Sequence, residues 1–111
     1  MSTLPAAATS AREEARPVIP RVIELTESLV YGDIWERPGL SKRDRSLITI
    51  AALVAMYRPD QLTGHLERGL GNGLSKAEIS EVITHLTFYC GWPSAMSAAK
   101  VARPIFDRSA S

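Results

Sequence analysis

The chain has 111 residues, 45% of them apolar and 23% charged, which suits one globular domain of ordinary composition. Its formal net charge of +1 argues against a dedicated nucleic-acid binder, because such proteins usually carry a basic stripe. The single cysteine, Cys90, excludes an internal disulfide, so nothing points to an oxidising compartment.

The first 16 residues contain few large apolar side chains. We therefore predict a disordered N-terminal tail over residues 1–16 and a single helical domain over residues 17–111. The tail lacks the basic start and apolar core of a signal peptide. The longest apolar run, residues 47–56, has about half the length that spanning a bilayer requires. These patterns predict a cytoplasmic protein that does not bind membranes.

Helices are indicated first by apolar residues that recur three and four positions apart. The first predicted helix follows Pro20 and ends in the Gly- and Pro-containing loop 31–39. Ser41 is a predicted N-cap for the second helix, which runs from Lys42 to about Tyr57. That second helix is apolar on nearly every side, which one small chain cannot bury. We therefore expect a second subunit to cover it.

Three further helices complete the prediction. The third follows Asp60, a predicted N-cap. Ser75 and Glu78 form a full capping box at the start of the fourth, and Pro93 lies in the first turn of the last. No segment shows the alternating pattern of a β-strand. The predicted fold class is therefore all-α, a compact bundle of about five helices.

His65 is the first candidate for chemistry, since histidine is the side chain whose unperturbed pKa lies nearest neutrality. It lies at the border of an apolar helix face, and its spacing leaves two interpretations open. It is either a half-buried histidine bonded to a neighbour or a general acid/base tuned by partial desolvation. His85, four residues after Glu81, could form half of a metal site, but no nearby Cys or His completes it. We therefore predict no metal.

Arg43 and Arg45 lie in the first turn of the second helix, where a cation is unfavourable. Their position suggests a partner anion, either a carboxylate of another subunit or a substrate. Pairing with Asp44 and Glu36 explains the arginines equally well. Aromatic side chains at helix ends and in loops are expected to pack, in part across an interface: Tyr31, Trp35 and Trp92.

Several motifs occur in a fixed order along residues 24–102. They are Tyr31-Gly32-Asp33-Ile34-Trp35-x-Arg37-Pro38-Gly39-Leu40-Ser41, then His65-Leu66, then Asn72-Gly73-Leu74-Ser75-x2-Glu78-Ile79-x-Glu81, then Tyr89-Cys90-Gly91-Trp92-Pro93. This series resembles the carboxymuconolactone decarboxylase family. The resemblance implies an all-α, alkylhydroperoxidase-D-like fold. It also implies a homo-oligomer of dimers, a trimer or hexamer, with active sites between helices at subunit contacts.

The wider superfamily includes disulfide reductases with the pattern Glu-x11-Cys-x2-Cys-x3-His. Aligned on His65, this chain has Arg58 and Gln61 at the cysteine positions and Ser46 at the glutamate position. Thiol–disulfide exchange requires both thiols, so a peroxidase of that type is excluded.

The resemblance implies a decarboxylase that needs no cofactor and belongs to aromatic-compound catabolism by the β-ketoadipate pathway. Its substrate would be a carboxylated lactone such as γ-carboxymuconolactone, converted to an enol-lactone and CO2. The resemblance makes His65 the general acid/base, Arg43 and Arg45 anion-binding residues, and three aromatic residues the pocket wall: Tyr31, Trp35 and Tyr89.

Two other functions stay open at this stage. One is a non-catalytic oligomeric scaffold or small-ligand binder of the same fold. The other is a related lyase or isomerase that acts on a different cyclic acid. The family pattern also contains an Arg-rich helical segment before the tyrosine-containing loop, where this chain has a short Ala/Ser-rich segment. If that segment helps to build the pocket in the family, the departure predicts another substrate or a lost activity for this chain.

Overall fold

A computed structural model describes the backbone of residues 6–109 and the side chains of residues 11–109. Within this range the chain forms only helices and connecting turns, so the all-α prediction is confirmed. The six α-helices are α1 (Ala6–Ala15), α2 (Pro20–Leu25), α3 (Lys42–Ala55), α4 (Pro59–Gly71), α5 (Lys76–Cys90) and α6 (Trp92–Arg108). Helix α2 continues directly as a π-helix, Thr26–Tyr31, and a 3-10 helix, Ile34–Glu36, precedes α3.

Side-chain caps start two of the helices where the sequence predicts them. The Ser41 hydroxyl accepts a hydrogen bond from the backbone N–H of Asp44 at 3.0 Å, at the start of α3. At α5, the Ser75 hydroxyl accepts from the Glu78 N–H, and the Glu78 carboxylate accepts from the Ser75 N–H. Each cap satisfies backbone donors that have no partner within the helix. Gly91, with φ of +94°, separates α5 from α6.

Helix α4 begins earlier than predicted. Pro59 occupies its first turn and Arg58 is the N-cap residue, without a side-chain hydrogen bond. The prediction of Asp60 as N-cap is therefore wrong, because proline fixes the helical φ one residue earlier. The Asp60 carboxylate lies in the first turn, where its negative charge interacts favourably with the helix dipole.

The hydrophobic core lies between α3, α4, α5 and α6, which pack on one another. Large apolar side chains that are completely buried come from three of these helices: Ile50, Leu62, Leu66 and Ile79. Small buried residues of α6 complete the core: Ala98 and Ala102. Burial of one large apolar side chain contributes about 1.5–3 kcal/mol, so this core supplies most of the stability of the chain.

Residues 6–36 form what we call the N-terminal arm, which lies against this core. Helix α1 packs on α4, and the 3-10 helix packs on α3. The sequence analysis predicts a disordered tail here, whereas the structure has a helix over residues 6–15; residues 1–5 lie outside the described range. Arg16 Nη2 contacts Glu27 Oε2 at 2.7 Å and Glu13 Oε1 at 3.0 Å. These exposed ion pairs join the end of α1 to the π-helix.

Helix α3 presents apolar side chains on both of its faces. Ile50 and Val54 are buried in the core, whereas Ile48 is 55% exposed and Met56 is 57% exposed. The apolar character that the sequence shows all around this helix is therefore only partly covered within one chain. None of the helices in residues 6–109 has the length and apolar character needed to cross a membrane.

Candidate active site

His65 lies on α4 where the core meets the N-terminal arm. Its Nε2 is 3.4 Å from the Tyr31 hydroxyl, and its ring stacks on Trp35 with centroids 6.1 Å apart. The rings of Tyr31 and Trp35 also contact each other, with centroids 5.5 Å apart. The site is therefore a histidine of the core covered by two aromatic rings of the arm.

The Tyr31 and Trp35 rings lie beside His65 because the helix type changes between these two residues. Tyr31 is the last residue of the π-helix, and Trp35 is the buried residue of the 3-10 helix that follows. Gly32 joins the two, and a Cβ atom at that position would lie 2.6 Å from the Ser28 carbonyl oxygen. Only glycine avoids that clash, so the close turn that brings both rings to His65 depends on it.

Two arginines contact the same aromatic pair. Arg68 follows His65 by three residues on α4, and its Cζ lies 4.2 Å from the Tyr31 ring centroid and 5.5 Å from that of Trp35. Arg12 comes from α1, with its Cζ 4.7 Å from the Tyr31 centroid. Cation–π contacts of this kind stabilise a guanidinium by about 0.5–2 kcal/mol.

Hydrogen-bonding atoms in this cluster are buried without partners among the described side chains. They are Nδ1 of His65, Nη2 of Arg12, and both Nε and Nη2 of Arg68. Neither arginine forms an ion pair with a carboxylate within residues 11–109. Buried donors are nearly always paired in proteins, because an unmade bond to a charged group costs free energy. The cluster can therefore accept an anion whose oxygens supply these bonds.

The surroundings of His65 hold its imidazole in the neutral form. Burial lowers the pKa of His65, and together with the positive charges of Arg68 and Arg12 it brings the value from 6.5 to about 4. Burial also lowers the pKa of Arg68. Its interaction with Tyr31 raises that pKa in part, and the positive charge of Arg12 lowers it further. Arginine stays charged at neutral pH even so. At pH 7 the ligand-free site therefore contains a neutral imidazole beside two cations.

The structure joins three of the six predicted site residues directly: His65, Tyr31 and Trp35. The contacts of the other three lie elsewhere. Arg43 forms ion pairs with Glu78 and Asp44, and Arg45 donates to the Arg37 carbonyl oxygen at 3.1 Å.

Tyr89, 76% exposed, packs on His85 with ring centroids 4.7 Å apart. Within residues 11–109, no hydrogen bond, ion pair or ring contact joins Arg43, Arg45 or Tyr89 to His65. These three residues stay predicted pocket residues.

Sequence reasoning missed the two arginines that do contact the aromatic pair. Arg68 was open to prediction, since residues three apart on a helix share a face and His65 was already a candidate. Arg12 was not, because its segment has no amphipathic pattern and packs on α4, a helix distant in the sequence. No group of three or more His, Cys, Asp or Glu side chains in the described part of the chain could hold a metal ion.

The fold and site together define an all-α protein with a neutral histidine and two unpaired arginines between its core and its N-terminal arm. A model of the carboxymuconolactone decarboxylase family matches residues 20–104. The chain belongs to this family, as the sequence motifs predict.

Three relatives illustrate the relationship. The chain is 42% identical to the 4-carboxymuconolactone decarboxylase of Acinetobacter baylyi over 76 residues, which is 68% of this chain and 57% of the relative. It is 34% identical to the nitrosuccinic acid decarboxylase of Metarhizium robertsii over 80 residues, covering 72% and 56% of the two chains. It is 30% identical to an uncharacterized 15.0 kDa protein of Paracoccus denitrificans over 99 residues, covering 86% and 71%. The chain thus spans a little more than half the length of the two named decarboxylases.

Proposed function

We propose that this chain is a decarboxylase that works without a cofactor on a carboxylic acid with a neighbouring electron-accepting group. A carboxylated lactone of the γ-carboxymuconolactone type is the leading substrate. Family membership and the two relatives named as decarboxylases support this proposal. The observation that carries it is the cluster of a neutral imidazole and two unpaired guanidinium groups around Tyr31.

Decarboxylation of such an acid requires a cation near the developing negative charge and a group that delivers a proton. The bond between the ring carbon and the carboxylate breaks, CO2 leaves, and the electron pair passes to the lactone carbonyl oxygen as a dienolate. A proton then goes to a ring carbon. A cation near the developing oxyanion lowers the barrier, and a positioned acid delivers the proton. The cluster contains both kinds of group.

His65 is the proposed proton carrier. In the ligand-free protein the two arginines disfavour its protonation. An anionic substrate beside Arg12 and Arg68 offsets their charges, which raises the pKa of His65 and lets the imidazole take up a proton. Tyr31, whose hydroxyl lies 3.4 Å from Nε2, is placed to relay that proton.

The names of the relatives point to a common chemical requirement. One acts on a carboxylated lactone and the other on a nitro-substituted diacid. A lactone carbonyl and a nitro group can each accept the electron pair that CO2 leaves behind. For this chain we therefore propose the shared class, an acid with an electron acceptor in conjugation with the bond that breaks.

The test is CO2 release from γ-carboxymuconolactone and from nitrosuccinate by the purified full chain. His65→Gln is expected to lower kcat about 10²–10⁴-fold, because a positioned acid or base contributes about that much. His85→Gln removes an exposed histidine on α5 and serves as the matched control. An undiminished rate in His65→Gln contradicts the proposed role. No release from either acid by the wild type favours a scaffold, or a lyase or isomerase for another cyclic acid.

We also propose that the chain forms a homo-oligomer, a trimer or a hexamer. Large apolar side chains are exposed around the junction of α5 and α6: Phe88, Tyr89, Trp92 and Met96. Next to them an apolar groove of about 350 Å³ runs between α3 and α5, lined by Leu47, Ile48 and Val82 among others. Monomeric proteins rarely expose contiguous apolar patches of this kind. Light scattering coupled to gel filtration measures the mass, and a monomer contradicts the proposal.

A further inference from the structure

We propose that Arg12 and Arg68 form a two-point site for a dicarboxylate. In this site Arg12 binds the carboxylate that the product keeps, and Arg68 faces the charge that develops as the other carboxylate leaves. The role given to Arg68 rests on the proposed decarboxylase function. Binding of a dicarboxylate does not, because it requires no turnover.

The geometry of the two guanidinium groups supports two-point binding. Both lie against the one ring of Tyr31, with Cζ atoms 4.2 Å and 4.7 Å from its centroid. Their separation cannot exceed the sum of these distances, which the two carboxylates of a four-carbon diacid can bridge. They come from different helices, α1 and α4, so each can approach a different end of the ligand.

Neither Arg12 nor Arg68 forms an ion pair within residues 11–109, whereas several other arginines do. Arg43 and Arg108 each have a carboxylate partner, in Glu78 and Glu67 respectively. Glu27 is close enough for the charge of Arg12 to lower the pKa of its carboxyl, but both Glu27 oxygens already accept hydrogen bonds from Arg16. Two adjacent cations repel each other, and a carboxylate bound to each removes that repulsion while it satisfies the buried donors.

The reaction itself divides the roles of the two cations. The leaving carboxylate becomes neutral CO2, so a cation held tightly against it stabilises the reactant more than the transition state. We therefore assign one cation to a second, retained carboxylate and the other to the position where the electron pair arrives. Arg68 shares a helix with His65 and contacts both aromatic rings, so it suits the reacting end. Arg12 contacts Tyr31 from α1 and suits the retained end.

Arg12 is also the residue that would set specificity. It precedes residues 20–104, the segment that the family model matches. It lies on α1, ahead of that matched segment. We expect its charge to decide between a diacid and a monoacid of similar size.

Calorimetric binding of succinate and butyrate to the full chain tests the site. The two acids have the same number of carbons, and succinate lacks the electron acceptor that decarboxylation requires. Wild type is expected to bind succinate at least about tenfold more tightly, since a second charge-assisted hydrogen-bonded pair contributes more than 1.4 kcal/mol. Arg12→Gln is expected to bring this ratio close to one, and Arg12→Lys to keep part of it. Arg21→Gln, which removes an exposed arginine of α2, is the control with the same charge change and is expected to keep the wild-type ratio.

Two further measurements separate a binding role from a structural one. Succinate is expected to raise the pKa of His65 in an NMR titration of the wild type, and to raise it less in Arg12→Gln. With a substrate that turns over, Arg12→Gln is expected to raise KM, and Arg68→Gln to lower kcat. Circular dichroism of each variant checks that the helices are intact.

The outcomes also separate the two proposals. Equal affinity for succinate and butyrate, including no measurable binding of either, overturns the dicarboxylate site, as does an unchanged ratio in Arg12→Gln. If succinate binds selectively but neither candidate acid releases CO2, the proposed function fails and the site stands. If CO2 is released while Arg12→Gln leaves the affinity ratio and KM unchanged, the dicarboxylate site fails and the proposed function stands.

Discussion

The core of α3–α6 and the N-terminal arm of residues 6–36 are held in different ways. In the core, Ile50, Leu66 and Ile79 are fully buried. In the arm, Val22 and Leu29 are about half exposed, and the arm meets the core through the packing of α1 on α4, the Trp35–His65 ring contact and the cation–π contact of Arg68 with Tyr31. The core thus provides stability and a fixed histidine, whereas the arm provides the rings and one of the charges that surround it. The proposed function therefore depends on the more weakly held part.

The largest expected effect on stability lies in the core. Leu66→Ala removes a fully buried side chain next to His65, and it is expected to lower the free energy of unfolding by about 2–5 kcal/mol. Urea denaturation followed by circular dichroism measures the change. A loss below about 1 kcal/mol would mean that the core collapses around the deletion and is less tightly packed than described.

A smaller effect is expected on the pH dependence of the free energy of unfolding, through His65 at the boundary between core and arm. The pKa of His65 is about 4 in the folded chain and 6.5 in an unfolded one, so the unfolded state binds more protons between these values. Stability from the neutral imidazole is complete above pH 6.5 and is lost as the pH falls toward 4. We expect His65→Gln to reduce the loss of unfolding free energy between pH 7 and pH 4 by about 1–2 kcal/mol, allowing for partial solvent exposure.

Urea titrations of wild type and His65→Gln at both pH values measure this difference, with His85→Gln as the control. Identical pH dependence in wild type and His65→Gln would show that the arm does not shield the imidazole in solution. The comparison between core and arm would then need revision.

The smallest expected effect lies in the arm. Val22→Ala on the exposed side of α2 is expected to change the free energy of unfolding by no more than about 0.5 kcal/mol. The measurement is the same urea titration that serves for Leu66→Ala. A loss of 1 kcal/mol or more, growing with protein concentration, would show that another copy covers this face.

Local interactions explain what the sequence could predict. The caps at Ser41 and Ser75 involve groups three residues apart, and apolar spacing marks the buried faces of α4 and α5. His65 could be singled out by its type and its place on a helix. Helix α1 could not be, because it packs on α4, far along the chain, and Arg16, just beyond α1, pairs with Glu27, eleven residues further on. The position of Arg12 at the site follows from that distant contact, and no spacing rule reports it.

The π-helix between α2 and Tyr31 has a consequence for how such a chain can change over time. A π-turn accommodates one more residue than an α-turn, and one residue corresponds to about 100° of rotation. The extra residue of a π-turn is taken up locally, so the helices on either side keep their phase. Loss of a single residue between Thr26 and Tyr31 would therefore return this segment to ordinary α-helix, while α2 keeps the face that buries Ile23. The segment ahead of Trp35 can thus shorten by one residue without turning α2 away from its neighbours.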